Sequence, residues 1–503
     1  MAAKIPPQIE NSVENLCLSA GRELVFALTY AVGTDYKPVQ ESIEGILKQY
    51  DYDSKVIRVS DLIASMTDHP LLDDTEINRV SSRMTAGNAE CRACSRRDLW
   101  ALAAVGEINR LRGEFDATGK RRIAYVILSL KRPHEVAALR KVYGAGFFLI
   151  GVFATESERL SSLIEKNAPK QDAIKLIRRD EDERTDDFGQ KTSKTFQLAD
   201  VFVQLRSRAY LGELERFFAL VFSSPYETPT QHEHAMFLAY ASSLRSGQLG
   251  RQVGASITSK TGDVIAVGCN DVPKPGGGLY WPGEGDKRDH ILGYDSNDFQ
   301  IDEIIAELMR RLPKNEGQGG TEAEELRREF RGCLEITEYG RAVHAEMDAL
   351  LTCLRNGVNP LGGTLYVTTF PCHNCTRHII AAGIQRVYYI EPYPKSKALE
   401  LHEDAILVEE RAHRQHRGPR WKLPFTHFVG IGPRRYFDLF SLNLSSGFDL
   451  ERKTAGKTLS WSKPDSWPRI PLSALNYFDR ERKVIEEIGR FPQPPLDKIQ
   501  TSV

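Results

Sequence analysis

The sequence predicts an α/β protein in which a doubly wound parallel-sheet domain is followed by a second α/β domain. Three observations predict it. Ile123–Leu130 and Phe147–Ala154 are near-continuous apolar runs, of the kind that parallel sheets bury on both faces. Such runs alternate with stretches of helical period, the pattern of a doubly wound fold. Beyond residue 209 the order changes to a helix, a hairpin, and then helix, strand, helix, strand around a cluster of His, Glu and Cys.

Residues 1–20 read as a polar lead. The first domain, residues 21–208, starts with a strand at Glu23–Thr29 and a turn at Gly33-Thr34-Asp35. A helix over Val39–Tyr50 and a second strand at Ser54–Val59 follow. Asp98–Arg112 is helical, Ile123–Leu130 a strand, Glu135–Tyr143 a helix and Phe147–Ala154 a strand. A long helical stretch begins near Ser157, and the short strand within Ala199–Val203 closes the domain. The second domain, residues 209–415, opens with a helix over Ala235–Leu249. A hairpin then pairs Val253–Thr258 with Val264–Cys269 across the turn Lys260–Asp263. Residues 271–299, rich in Gly, Pro and Asp, form a long loop; 301–312 are helical, 314–320 a hinge and 321–331 a charged helix. Residues 416–503 form a C-terminal extension expected to pack on the second domain.

Composition narrows the function classes. A chain of 503 residues suits two or three domains, and 41% hydrophobic with 27% charged residues excludes a largely disordered protein. The longest apolar run, Phe147–Ala154, is too short to span a membrane. The opening Met-Ala-Ala-Lys-Ile-Pro-Pro has no apolar core followed by a cleavage site, so the expected location is the cytoplasm. Lys+Arg 67 against Asp+Glu 68 leaves a net charge of -1, which argues against a surface that tracks nucleic acid throughout. Eight cysteines in this length are no secreted disulfide framework, so closely spaced ones read as metal ligands or as incidental.

The chemistry-bearing stretch is His344-Ala345-Glu346, followed after twenty-four residues by Pro371-Cys372-His373-Asn374-Cys375. One imidazole and two thiolates give zinc three ligands of suitable softness and leave a fourth position open, as in catalytic rather than structural sites. Glu346, two residues past the histidine, is placed to move protons instead of ligating. Apolar residues at Met347, Leu350, Leu351 and Leu354 make a helical stripe that stops at Gly357, and Pro371 starts a second helix. All three ligands thus fall in the first turns of helices, whose partial positive charge favours thiolates. The pattern H-x-E…P-C-x-x-C is the signature of zinc nucleobase deaminases.

Two further segments, Leu244–Ala255 and Gly268-Cys269-Asn270-Asp271-Val272-Pro273, resemble the deoxycytidylate deaminase family. The resemblance implies a cytidine deaminase-like α/β/α fold and a pocket to which Asn270 contributes. It also implies phosphate contacts from Arg245 and Arg251, and backbone donors near Ala345 beside the reacting carbon.

The first domain places the turn Tyr30–Lys37 where a nucleotide-binding fold carries its phosphate loop. A working loop reads G-x-x-x-x-G-K-[ST]. Only Gly33 survives here; Thr34 stands where the lysine belongs, and Asp35 would repel phosphate. Ser129–Val136, Asp187-Phe188-Gly189-Gln190 and Ala199-Asp200 nevertheless look kinase-like, giving a degenerate P-loop-kinase-like domain. With Gly430–Tyr436 in the extension, the whole arrangement resembles the bacterial anti-phage dCTP deaminases. That resemblance implies zinc-dependent conversion of dCTP to dUTP, with dCMP to dUMP open. It further implies depletion of dCTP during infection, self-association, and in some members restraint by a partner small RNA. Three rivals are a tRNA or single-stranded DNA deaminase, a non-catalytic nucleotide- or RNA-sensing protein, and a nucleotide kinase, which the broken phosphate loop disfavours. The charge balance weighs against the first and the intact Glu346 against the second. Cys91-Arg92-Ala93-Cys94 reads as incidental, as do Cys269, Cys333 and Cys353; His290 and His373 read as isolated histidines, and Arg178–Arg184 as a solvated charged face or a lid remnant.

Overall fold

Strand β1 (Glu23–Tyr30) has every residue buried, as its apolar run Leu24–Leu28 requires of a strand covered on both faces. The computed structural model describes residues 23–118, 122–183, 186–205, 209–311, 330, 339–392, 396–408, 422–443, 450–470 and 474–488. The chain divides into two units, residues 1–233 with 428–503, and residues 234–427.

In the first unit, β2 (Asp53–Arg58), β3 (Ile123–Leu128), β4 (Phe147–Phe153) and β5 (Val201–Gln204) join β1 in the parallel order β5-β4-β1-β3-β2. β1 lies between β3 and β4, so the turn that leaves it sits where the strand order reverses, the usual ligand crevice of such sheets. Phe26 and Phe148 stack at 5.7 Å and meet Phe217 and Phe218 in the core. Each such ring contributes about 1.5–3 kcal/mol by leaving water. The helix Lys37–Gln49 turns Val39, Ile43, Ile46 and Leu47 into this core.

Local chemistry explains where element boundaries depart from expectation. β3 ends at Leu128 because Ser129 takes φ +75° and its amide turns back to the Leu28 carbonyl. The helical stretch from Ser157 is two helices, Glu156–Glu165 and Lys170–Glu181, interrupted by Asn167 at φ +63° and by Pro169. A helix over Glu76–Ala93 was not expected. Its buried residues include Gly87 and Asn88 and carry little apolar periodicity.

The C-terminal segment corrects the sequence reading. Residues from Phe428 onward group with the first unit, whereas 416–503 were expected on the second domain. Gly430–Ile431 pairs antiparallel with Val201 and Phe202, covering the β5 edge that would otherwise expose unpaired backbone groups. Arg435 reaches Asp200 at 3.1 Å. The helix Ala474–Ile488 supplies Glu481, which shares Arg112 with Glu23, both at 2.7 Å, while Tyr477 donates to Glu23. A buried guanidinium needs such paired acceptors, and they come from the far end of the chain.

In the second unit, the strands are β6 (Gly254–Thr258), β7 (Val264–Cys269), β8 (Thr364–Thr369), β9 (Arg386–Glu391), β10 (Ile406–Val408) and β11 (Leu423–His427). Their order is β10-β11-β9-β8-β6-β7. β6 is antiparallel to β7 and β8, whereas β8, β9, β11 and β10 run parallel. The helix Ala345–Arg355 lies close on β7. Ala345, Ala349 and Cys353 form its buried small-residue stripe, and a Cβ at Gly268 would fall 2.4 Å from the Ala345 carbonyl oxygen. The helix expected over Ala235–Leu249 ends at Ser243, and the one expected over 301–312 spans Ser296–Arg311. Residues 1–20, 314–320, nearly all of 321–331 and Cys333 lie outside the described residues. No helix among the described residues is long and apolar enough to cross a membrane.

Candidate metal centre

His344 is the N-cap of the helix Ala345–Arg355, with extended backbone at φ -73° and ψ 154°. Cys372 is the N-cap of the helix His373–Ala381, which follows directly from the end of β8. Its Sγ accepts from the Cys375 amide at 3.4 Å, so the capping bond itself fixes the first thiolate. The three residues, expected in the first turns of two helices, thus stand at the two N-caps and, for Cys375, within the first turn.

The three donors converge. His344 Nδ1 lies 3.3 Å from Cys372 Sγ and 3.4 Å from Cys375 Sγ, and all three ligand atoms fall within 4.8 Å of one another. Tetrahedral zinc with Zn–N near 2.0 Å and Zn–S near 2.3 Å needs N···S separations of about 3.5 Å, so this donor set fits the ion. Among the described residues, no other group of three or more His, Cys, Asp and Glu side chains is gathered this way. Cys91 and Cys94 in particular have no such company, and burial pushes the Cys91 thiol up to about 12.

Electrostatics follow from the packing. The Cys375 thiol bonds to Cys372 and, with His344, holds the Cys372 thiol down at about 4 against burial. The same bond, together with burial, pushes Cys375 well above the ordinary thiol range. One thiolate beside one proton-bearing sulfur is what a metal ion would convert into two thiolates. Glu346 is buried, with Oε2 3.4 Å from Cys375 Sγ; burial raises its carboxyl above the usual range, and His344 partly opposes this. A carboxylate raised in this way can both take and return a proton.

A cavity of about 200 Å³ opens on this group, lined also by Arg251, Val253, Asn270, Thr369 and Phe370. Asn270 lies in the lining with both ends of its amide engaged. Nδ2 donates to the Arg251 carbonyl and Oδ1 accepts from the Val253 amide, each at 2.7 Å. It therefore shapes the wall while its polar atoms hold the 251–253 backbone. Arg251, an exposed residue of the lining, lies 3.2 Å from Glu391. Ala345, fully buried, lines the cavity beside His344. Arg245 does not join this lining. Its guanidinium donates to the Leu279 and Tyr280 carbonyls and lies 3.8 Å over the Trp281 ring, a placement that serves the 279–281 loop. Gly33, Thr34 and Asp35 line a separate cavity in the first unit. Sequence reasoning missed Phe370, which packs on Tyr389 and Phe425, and Asp348, which accepts from the Cys269 amide and ties the ligand-bearing helix to β7. The position of Thr369-Phe370 just before Pro371-Cys372 was the available signal for the first.

Residues 229–391 match the family model for the cytidine and deoxycytidylate deaminase zinc-binding region. The deoxycytidylate deaminase of enterobacteria phage T4 is 30% identical over 160 residues, which are 32% of this chain and 77% of that protein. The chain belongs to the deoxycytidylate deaminase family. Its zinc-binding deaminase region carries the His344, Cys372 and Cys375 group described above. ComE operon protein 2 of Bacillus subtilis (strain 168) is 45% identical over 82 residues, covering 16% of this chain and 43% of that protein. The match thus spans less than half the length of that relative. Human deoxycytidylate deaminase is 25% identical over 158 residues, 31% of this chain and 63% of that protein. The family-model match, residues 229–391, leaves most of the first unit uncovered.

Proposed function

We propose that this deaminase-family chain is a zinc-dependent hydrolase of free deoxycytidine nucleotides, converting dCTP and water to dUTP and ammonia, with dCMP to dUMP as a second reaction. The observation that carries it is Glu346, buried and within 3.4 Å of Cys375 Sγ, facing the same cavity as His344 and Cys372. Zinc held by His344, Cys372 and Cys375 supplies the Lewis acidity that makes water nucleophilic near neutral pH. Glu346 takes a proton from the attacking water and passes it to N3 of the cytosine ring. It then transfers the second proton to the amino group leaving C4, so that one water enters and one ammonia departs. Phe370 supplies an apolar wall for the ring, and the exposed Arg251 supplies positive charge on the phosphate side. Asn270 fixes the 251–253 backbone on which that arginine stands.

The supporting argument for a triphosphate and for a role in depleting dCTP during phage infection is the two-domain resemblance, with its kinase-like first domain. Self-association and restraint by a small RNA belong to the same reading. The test is an assay of purified protein with dCMP, dCTP, CTP and a cytosine-containing oligonucleotide, measuring ammonia and products. Release of dUTP and ammonia from dCTP is the expected result. Deamination of the oligonucleotide alone, or of nothing, would overturn the reading.

A further inference from the structure

The first unit holds a cavity of about 410 Å³ that no family match covers. Tyr30, Arg58 and Leu128, the last residues of β1, β2 and β3, all line it, so it lies at the carboxyl ends of the parallel strands beside the reversal of strand order. Seven cationic and four acidic side chains line it, an excess of three positive charges. Tyr30 and Tyr36 stack at 4.4 Å and 17° along one wall, and Val59, Ile63 and Met84 add apolar surface.

The turn after β1 is already satisfied by the protein itself. The fully buried Asp180 carboxylate accepts from the Val32 amide at 2.8 Å, and its other oxygen lies 3.0 Å from Lys131 Nζ. An amide and a lysine beside the first strand are what a phosphate loop would offer its ligand. Here an internal carboxylate takes both. Gly33 closes the same turn at φ +86°, with the Arg159 carbonyl oxygen 2.5 Å from where a Cβ would stand. Beyond this turn the cavity keeps uncommitted polar groups. Lys37 and Arg58 make no ion pair with any described residue. The Thr34 hydroxyl, on a residue only 7% exposed, has no hydrogen-bond partner among the described residues.

We propose that this cavity binds a nucleotide as a ligand and does not transfer its phosphoryl group: the phosphates rest on Arg58, Lys37 and the Thr34 hydroxyl, and the base lies along the Tyr30–Tyr36 stack. The site is independent of the deaminase cavity and would stand whether or not the deamination reading holds. A pocket of this size with a few convergent polar groups and an aromatic wall is of the usual scale for such ligands. Asp180 excludes phosphate from the turn itself, which separates binding from the positioning that phosphoryl transfer requires.

The test uses the full zinc-loaded chain and purine nucleotides, which lack the cytosine ring the deaminase cavity would read. Binding of ATP and GTP is measured calorimetrically, and 8-azido-ATP is photocrosslinked and the labelled peptides mapped. Saturable binding, with label on the Tyr30–Lys37 or Arg58–Ile63 segments, is expected. Arg58→Ala and Lys37→Ala, both at exposed positions, should each weaken binding at least about tenfold with an unchanged melting temperature. Cys372→Ala should leave binding as it is. No saturation below about 1 mM, label confined to other segments, or affinity unmoved by either substitution would overturn the site. Inorganic triphosphate competing as well as ATP would overturn the part assigned to the tyrosines. Transfer of the γ-phosphoryl group from ATP to any deoxynucleoside monophosphate would overturn the separation of binding from transfer.

Discussion

A Cβ at Gly268 would stand 2.4 Å from the carbonyl oxygen of Ala345, the first residue of the helix that carries His344 at its cap. The absence of a side chain at one position of β7 therefore sets how near the ligand-bearing helix approaches the sheet. Backbone atoms on both sides leave nothing soft to yield. Gly268→Ala is expected to cost about 2–3 kcal/mol of stability and to displace His344 from its cysteine partners. Thermal unfolding together with zinc content checks this. A variant with wild-type stability and full zinc would show that the helix has more room than the geometry allows.

Metal retention and turnover should separate at the adjoining site. Cys372→Ala and Cys375→Ala each remove a ligand atom from the converging set, so zinc and activity are lost together. Glu346→Gln leaves all three ligand atoms in place and removes only the proton carrier. Zinc content near the wild-type value is expected in that variant, with activity lowered by about 10²-fold or more. Elemental analysis beside the ammonia assay distinguishes the roles. Full zinc in both cysteine variants would defeat the ligand assignment.

These residues were legible because their chemistry depends on type and spacing alone. An imidazole and two thiols at helix starts have few other uses, so His344, Cys372 and Cys375 could be named before any fold was known. Arg245 shows the limit. Its neighbours in sequence match the family, yet whether a guanidinium meets a ligand or a carbonyl is decided by loop placement, and here Leu279, Tyr280 and Trp281 claim it. The fate of the C-terminal segment was hidden for a related reason. Glu481 partners Arg112 across 369 residues, and no local period encodes a charge pair at that distance. The parallel strands were clearer, because burial on both faces leaves an unbroken apolar run such as Ile123–Leu128.

Sugar discrimination offers a test of the cavity wall. The fully engaged amide of Asn270 holds the Arg251 carbonyl and the Val253 amide, so it orders the backbone on which the nucleotide would lie. dCTP is expected to be preferred over CTP in kcat/KM. Asn270→Ala removes two hydrogen bonds, worth about 1–3 kcal/mol together, and should reduce that preference while zinc stays bound. Equal kcat/KM for dCTP and CTP in the wild-type enzyme would remove the case for a deoxynucleotide pocket.

The last prediction concerns pH. Glu213, in the helix Ala209–Val221, has one carboxylate oxygen buried without a partner among the described residues. Burial, with a smaller contribution from Glu233, raises its carboxyl from 4.5 to about 7, and a bond from the Gln204 backbone only partly offsets this. The folded state therefore holds the proton more tightly than the unfolded chain does. Its favourable contribution is fully present below about pH 4.5 and is lost as pH rises through 7. Glu213→Gln keeps a neutral group of similar shape at every pH, so the comparison isolates this one titration from the other carboxylates. The variant should match the wild type near pH 4 and melt at a higher temperature above pH 8. Thermal unfolding of both proteins between these limits measures the difference. A gap that stays constant with pH, or one that widens toward acid, would show that Glu213 is charged in the folded protein.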